Sequence, residues 1–122
     1  MATIKSHTDI EQSKKLAEIL PLESADMFYN EEPDETYPKD IVDIEYPMIL
    51  REGQIRFLEE YGLPCWSLAS LLNVLPEKYT ELIKEGGMYR IIIKDSFMTC
   101  LFDNPVDACV AMVEKLHELK ML

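Results

Sequence analysis

The stretch from Asp103 to Leu119 constrains the fold most tightly. Asn104 is a strong helix N-cap, Pro105 suits the first helical position, and Asp107 brings negative charge to the first turn. Val106, Cys109, Val110, Val113, Leu116 and Leu119 then recur at steps of three and four, while Glu114, Lys115, Glu118 and Lys120 occupy much of the remainder. A helix with such a stripe needs an apolar surface to lie on. Tyr89-Arg90-Ile91-Ile92-Ile93-Lys94, β-branched and aromatic, offers a strand of one. Asp95-Ser96 predicts a turn with Phe97 to Phe102 as the returning strand, and Gly86-Gly87 predicts a second turn that makes Thr80 to Lys84 a third strand. These elements predict an α+β fold, a small antiparallel sheet of roughly three to five strands packed against two or three helices.

Two further helices are expected upstream. Thr8 and Glu11 have capping-box spacing, Ile10, Ser13, Leu16, Ala17 and Leu20 fall on one face, and Pro21 stops the run. After Gly62, Pro64 suits a first helical position, and Cys65, Leu68, Leu71, Leu72 and Leu75 repeat at helical steps until Pro76. Trp66 and Ala69 widen that apolar face, so this helix is expected to be the most buried. Between the two, Met27-Phe28-Tyr29 suits a short strand, residues 30–39 read as an exposed acidic loop with Pro33 and Pro38, and Ile41 to Tyr46 suits a strand ended by Pro47. Gln54 to Tyr61 fits a strand or a helical turn equally.

The chain's 122 residues, 48% of them hydrophobic and without internal repeat, suit one domain over residues 1–122. The first fifteen residues are too polar for a signal peptide. The longest apolar stretch, Leu63 to Pro76, is broken by Ser67, Ser70 and Asn73 and falls short of the roughly 20 residues that a membrane helix needs. Three cysteines, Cys65, Cys100 and Cys109, without paired spacing argue against a disulfide framework and for a reducing cytoplasm.

Charge narrows the partners. The net charge is −11, and between Glu23 and Glu45 nine acids face the single base Lys39, so that segment alone contributes −8. Phosphate binding needs clustered Lys and Arg, so direct contact with nucleic acid or an anionic membrane is not expected.

Leu63-Pro64-Cys65-Trp66-Ser67-Leu68-Ala69-Ser70-Leu71-Leu72, together with Asp103-Asn104-Pro105-Val106-Asp107-Ala108-Cys109-Val110 and Lys115-Leu116-His117-Glu118-Leu119, resemble a family of small uncharacterised proteins of gut anaerobic bacteria, associated with phage-like or mobile elements. The resemblance implies a bacterial cytoplasm and an accessory gene. It carries over no functional residue.

The chemical candidates are few. Cys65, at an expected helix start, could be a dipole-activated nucleophile, but its place beside Trp66 on an apolar face fits a core thiol better. His7 and His117 stand near opposite ends with no metal-ligand spacing, and His117 suits the C-terminal end of a helix dipole. Glu31-Glu32, Asp34-Glu35 and Glu59-Glu60 are carboxylate pairs in polar surroundings, where solvation is the simpler role. No phosphate-binding glycine loop occurs, and no catalytic, metal or cofactor residues are expected. Tyr29, Tyr37 and Tyr46, interleaved with Glu31, Glu32, Asp34 and Glu35, form the candidate interaction surface.

The expectation that follows is a non-enzymatic accessory protein that binds a protein partner or a second copy of itself. An acidic mimic of nucleic acid that inhibits a DNA- or RNA-binding enzyme is the alternative. An enzyme of unrecognised type, using Cys65 or a carboxylate pair, is the third reading.

Overall fold

The computed structural model describes residues 5–30, 47–50, 62–93, 97–99 and 101–122. The chain divides into two compact units, one made of Met1–Thr8 with Ser67–Leu122 and the other of Asp9–Trp66. Each carries a three-stranded antiparallel sheet, so the expected α+β class stands while the strands are shared between two sheets.

In the Asp9–Trp66 unit, α1 spans Ile10–Ala17. Its N-cap is Asp9, one residue later than Thr8. The Asp9 carboxylate accepts from the Gln12 backbone N–H at 2.8 Å, and the Gln12 side chain accepts from the Asp9 N–H at 3.1 Å. Both residues of this capping box can satisfy an otherwise orphaned donor, and Thr8 is buried instead. Leu16 and Ser13 face inward as the spacing predicts.

A 3-10 turn at Leu22–Ser24 leads into β1 (Met27–Asn30), which pairs with β2 (Met48–Ile49) on one side and β3 (Gly62–Cys65) on the other. The register sets Met27 opposite Cys65, Phe28 opposite Pro64 and Tyr29 opposite Leu63. Alternation then divides the side chains between two faces. Tyr29, Leu63 and Cys65 form a cluster against which Ile10 and Met27 pack, while Phe28, also buried, points the other way. Trp66 follows β3, fully buried, and its indole N–H donates to Ser24 Oγ at 2.9 Å.

This arrangement corrects the expected helix from Pro64. Gly62–Cys65 is a strand, and α2 begins only at Leu68 and runs to Val74. The start is set by Ser67, whose hydroxyl accepts from the Ser70 N–H at 3.2 Å. Pro64 is tolerated in β3 because, among the described residues, that strand lies at the edge of its sheet, where a missing N–H need cost no ladder bond.

The other unit contains α2, β4 (Thr80–Glu85), β5 (Met88–Ile93), β6 (Phe97–Met98) and α3 (Pro105–Glu118), with strand order β4-β5-β6. Gly86 and Gly87, at φ of 60° and 80°, make the two-residue turn between β4 and β5, a conformation that other residues rarely adopt. The Asn104 cap holds α3 as expected, accepting from the Asp107 N–H at 2.8 Å. Val106, Cys109, Val110, Val113 and Leu116 are buried, and α3 packs on α2 and β5. Residues 5–8 belong here. Leu68 donates to the Ser6 carbonyl at 3.1 Å, His7 bridges Ser67, and Lys5 Nζ meets Asp107 Oδ1 at 2.9 Å.

Candidate functional site

Of the described residues singled out from the sequence, Tyr29 and Cys65 meet in one buried cluster. Tyr29 is only 2% exposed, which corrects its assignment to a surface: strand pairing draws it into the cluster with Leu63 and Cys65. Burial first, then the neighbouring Cys65 sulfur and its hydrogen bond, hold the Tyr29 phenol above its usual range. Glu31, Glu32, Asp34, Glu35, Tyr37 and Tyr46, like the expected loop at 30–39 and the strand at 41–46, lie wholly or almost wholly outside the described residues. Cys65 is fully buried at the end of β3, not at a helix N-terminus. Burial likewise pushes the Cys109 thiol up to about 12, away from the thiolate form that a nucleophile needs. His7 sits beside Ser6 Oγ, 3.1 Å from its Nδ1, and His117 is exposed in the last turn of α3.

A different feature of the second unit offers a surface. Between α2 and β4 lies a groove of about 800 Å³. Ala69, Leu72 and Leu75 line it from α2 and its cap, and Thr80 and Leu82 line it from β4, with Asn73 and Glu77 as polar side chains at its wall. α2 stops at Leu75 because Pro76 cannot continue it. The chain then turns into β4 through Tyr79, whose φ is 76°. A bulky L-residue in that region costs roughly 1–2 kcal/mol, and Tyr79 is nevertheless 63% exposed, with little burial to offset the strain. Leu82 is also open to water, at 36%. Thr80 Oγ1 is buried without a hydrogen-bond partner.

The outer side of β4 adds to this surface. Tyr89 exchanges backbone hydrogen bonds with Phe102, and Ile91 accepts from the Thr99 N–H. Those β5 residues therefore direct their backbone groups away from β4. Met88, Arg90 and Ile92 direct theirs toward it, onto Glu85, Ile83 and Glu81. By alternation, the backbone N–H and C=O groups of Thr80, Leu82 and Lys84 point away from β5. Among the described residues β4 pairs with β5 alone, so these groups form an open strand edge beside the groove.

Neither a protein-family model, nor a curated protein, nor a solved structure matches this chain. Among the described residues, no group of three or more His, Cys, Asp or Glu is placed to hold a metal ion, and no helix is long and apolar enough to cross a membrane.

The groove residues escaped the sequence reading for a physical reason. Leu72 and Leu75 fit a helical stripe and Leu82 fits a strand, so each looks like core. The distinction rests on β4 ending its sheet, which no local pattern states. A usable hint was Pro76-Glu77-Lys78-Tyr79, a polar turn that ends on an aromatic residue.

Proposed function

We propose that this protein is a non-enzymatic accessory factor that works by binding another protein, and that its docking site is the α2–β4 groove with the open edge of β4. One observation carries the reading. A strand edge with no second partner among the described residues, an exposed Leu82 that lines the groove, and an exposed Tyr79 with a strained backbone next to groove-lining Thr80 occur together. An edge of this kind is a template for strand addition, in which backbone hydrogen bonds supply affinity and side-chain pockets supply selectivity. Monomeric folds usually blunt such an edge with proline, a bulge or a covering segment. Here it carries Leu82 beside a groove that Leu72 and Leu75 also line. The non-enzymatic half of the reading is supported by the complete burial of Cys65 and Cys109, which keeps both thiols from any substrate.

In-cell photo-crosslinking tests the proposal. A photoreactive phenylalanine replaces Leu82, and in a control chain it replaces Glu118, which is exposed on α3. The same experiment is repeated with Lys84→Pro, which blocks the open edge without removing a bond to β5. A discrete adduct at position 82, absent at position 118 and lost with Lys84→Pro, is the expected result. Adducts that form equally at both positions, that survive the edge block, or that never form overturn the proposal.

A further inference from the structure

We infer that the segment added to β4 is cationic and extended, with basic residues at the first and fifth positions of a five-residue stretch and apolar residues between them. This inference rests on the reading of β4 as the docking edge and names the partner's chemistry.

The side chains of β4 alternate between two faces. Thr80, Leu82 and Lys84 share the face of Ile93, Ile91 and Tyr89, their partners in register. Glu81, Ile83 and Glu85 share the opposite face with Ile92, Arg90 and Met88. On that face the order along the strand is acid, apolar, acid. A residue added opposite Glu81 and another opposite Glu85 are four apart on the new strand, whichever way it runs. Directly opposed charges of opposite sign favour pairing, and like charges oppose it.

Both carboxylates are open to such a strand. Glu81 is exposed and makes no ion pair among the described residues. Glu85 meets Arg90 at 3.1 Å through one oxygen, yet its side chain is 60% exposed, and a carboxylate accepts at both oxygens. Ile83 between them calls for an apolar residue at the third position. On the other face, Leu82 calls for an apolar residue bordering the groove with Leu72 and Leu75. Lys84 lies over the Tyr89 ring, 5.7 Å from its centroid, so an apolar side chain can cover its stem.

The same charges argue against a second copy. Two β4 strands pairing antiparallel about a two-fold axis keep matching faces only if the axis passes a residue centre. Centred on Ile83, Glu81 stands directly opposite the second copy's Glu85. Centred on Leu82, Glu81 stands diagonal to the second copy's Glu81 and Glu85. Each chain also carries a net charge of −11. A basic segment meets this edge without either repulsion, and the field of the whole chain attracts it.

The test uses the intact protein and three blocked seven-residue peptides with serine at each end. The first has the core Arg-Leu-Val-Leu-Arg. The second, Leu-Arg-Val-Arg-Leu, has the same composition and charge with the basic residues two apart. The third, Glu-Leu-Val-Leu-Glu, reverses the charge. Binding is followed by backbone amide shifts of the ¹⁵N-labelled protein at physiological salt. The first peptide is expected to shift the amides of Thr80, Leu82 and Lys84 and to bind about fivefold or more tightly than the second. The third is expected to bind weakest. In Glu81→Gln the preference for the first peptide over the second is expected to shrink. If the three peptides shift these amides with equal affinity, or Glu81→Gln leaves the preference unchanged, the cationic spacing is wrong while the docking edge stands. If none shifts the β4 amides, the docking edge itself fails and the inference falls with it.

Discussion

The β1–β3 ladder and the β4–β5 ladder are built alike and meet water differently. In the first, Phe28, Tyr29, Leu63, Pro64 and Cys65 are all buried, so both faces of the pair are covered. In the second, burial is concentrated in β5, at Ile91 and Ile93, while Glu81, Leu82, Lys84 and Glu85 of β4 are exposed. Antiparallel pairing therefore decides neither burial nor use. A strand with two covered faces contributes chiefly to stability. A strand with one bonded edge and an open one is held by its neighbour and leaves backbone groups for something else.

Truncations sharpen the contrast most. Phe28→Ala removes a large, fully packed side chain and is expected to cost about 3–5 kcal/mol, whereas Leu82→Ala is expected to cost under about 1 kcal/mol. Urea denaturation midpoints of the two variants measure both, and equal losses would break the distinction drawn between the ladders.

Proline reads the two edges of β4 separately. Ile83→Pro deletes an N–H that bonds β5 and strands a carbonyl, a loss of roughly 2–3 kcal/mol. Lys84→Pro, on the open side, is expected to cost well under half as much. Thermal melts of the two chains decide the matter, and the reverse order would mean that the bonded side has been misassigned.

Alkali probes burial at its most complete points. Tyr29 and Cys109 are neutral acids whose folded pKa values lie above their unfolded ones. The folded state thus holds protons that the unfolded state releases. Their contribution is full below the unfolded pKa and is lost as pH rises toward the folded value. Between about pH 9 and 12, Cys109 alone is expected to lower stability by about 1.4 kcal/mol per pH unit. Stability measured across that range should fall steeply, and a flat profile would place the thiol in contact with water.

Tyr79→Gly gives the smallest effect and the most informative sign. Glycine relieves the left-handed backbone, so stability is expected to hold or rise by up to about 1 kcal/mol. Binding at the groove is expected to weaken at the same time. A variant both less stable and equally competent in binding would make Tyr79 an ordinary structural residue.

Some of this was written locally and some was not. The cap of α3, its stripe from Val106 to Leu116, and the Gly86-Gly87 turn with its flanking strands are short-range signals and appear where the residues predict them, whereas Leu119, expected in the stripe, caps the helix end and is 47% exposed. Pro64 and Cys65 misled because over a few residues the alternation of β3 coincides with helical steps into α2. Ser67, a cap candidate inside the apolar run, was the sign that the helix started later. Tyr29 misled because its neighbours in sequence are acidic, whereas its burial comes from pairing with Leu63, far along the chain. The left-handed turn at Tyr79 and the open edge of β4 follow from how whole elements connect, which residue types do not record.

The bridge between His7 and Ser67 also bears on how the chain comes to be folded. Residues 5–8 belong with Ser67–Leu122, so Asp9–Trp66 is an insertion whose points of departure and return are held side by side. Closing a flexible loop of roughly 60 residues costs about 3–4 kcal/mol in chain entropy. An insertion that has already compacted lowers that cost by bringing its own ends together. Synthesis delivers all of Asp9–Trp66 before Ser67 leaves the ribosome. Connectivity therefore favours an order of events in which the inner unit forms first, and the outer unit, with its open strand edge, closes last.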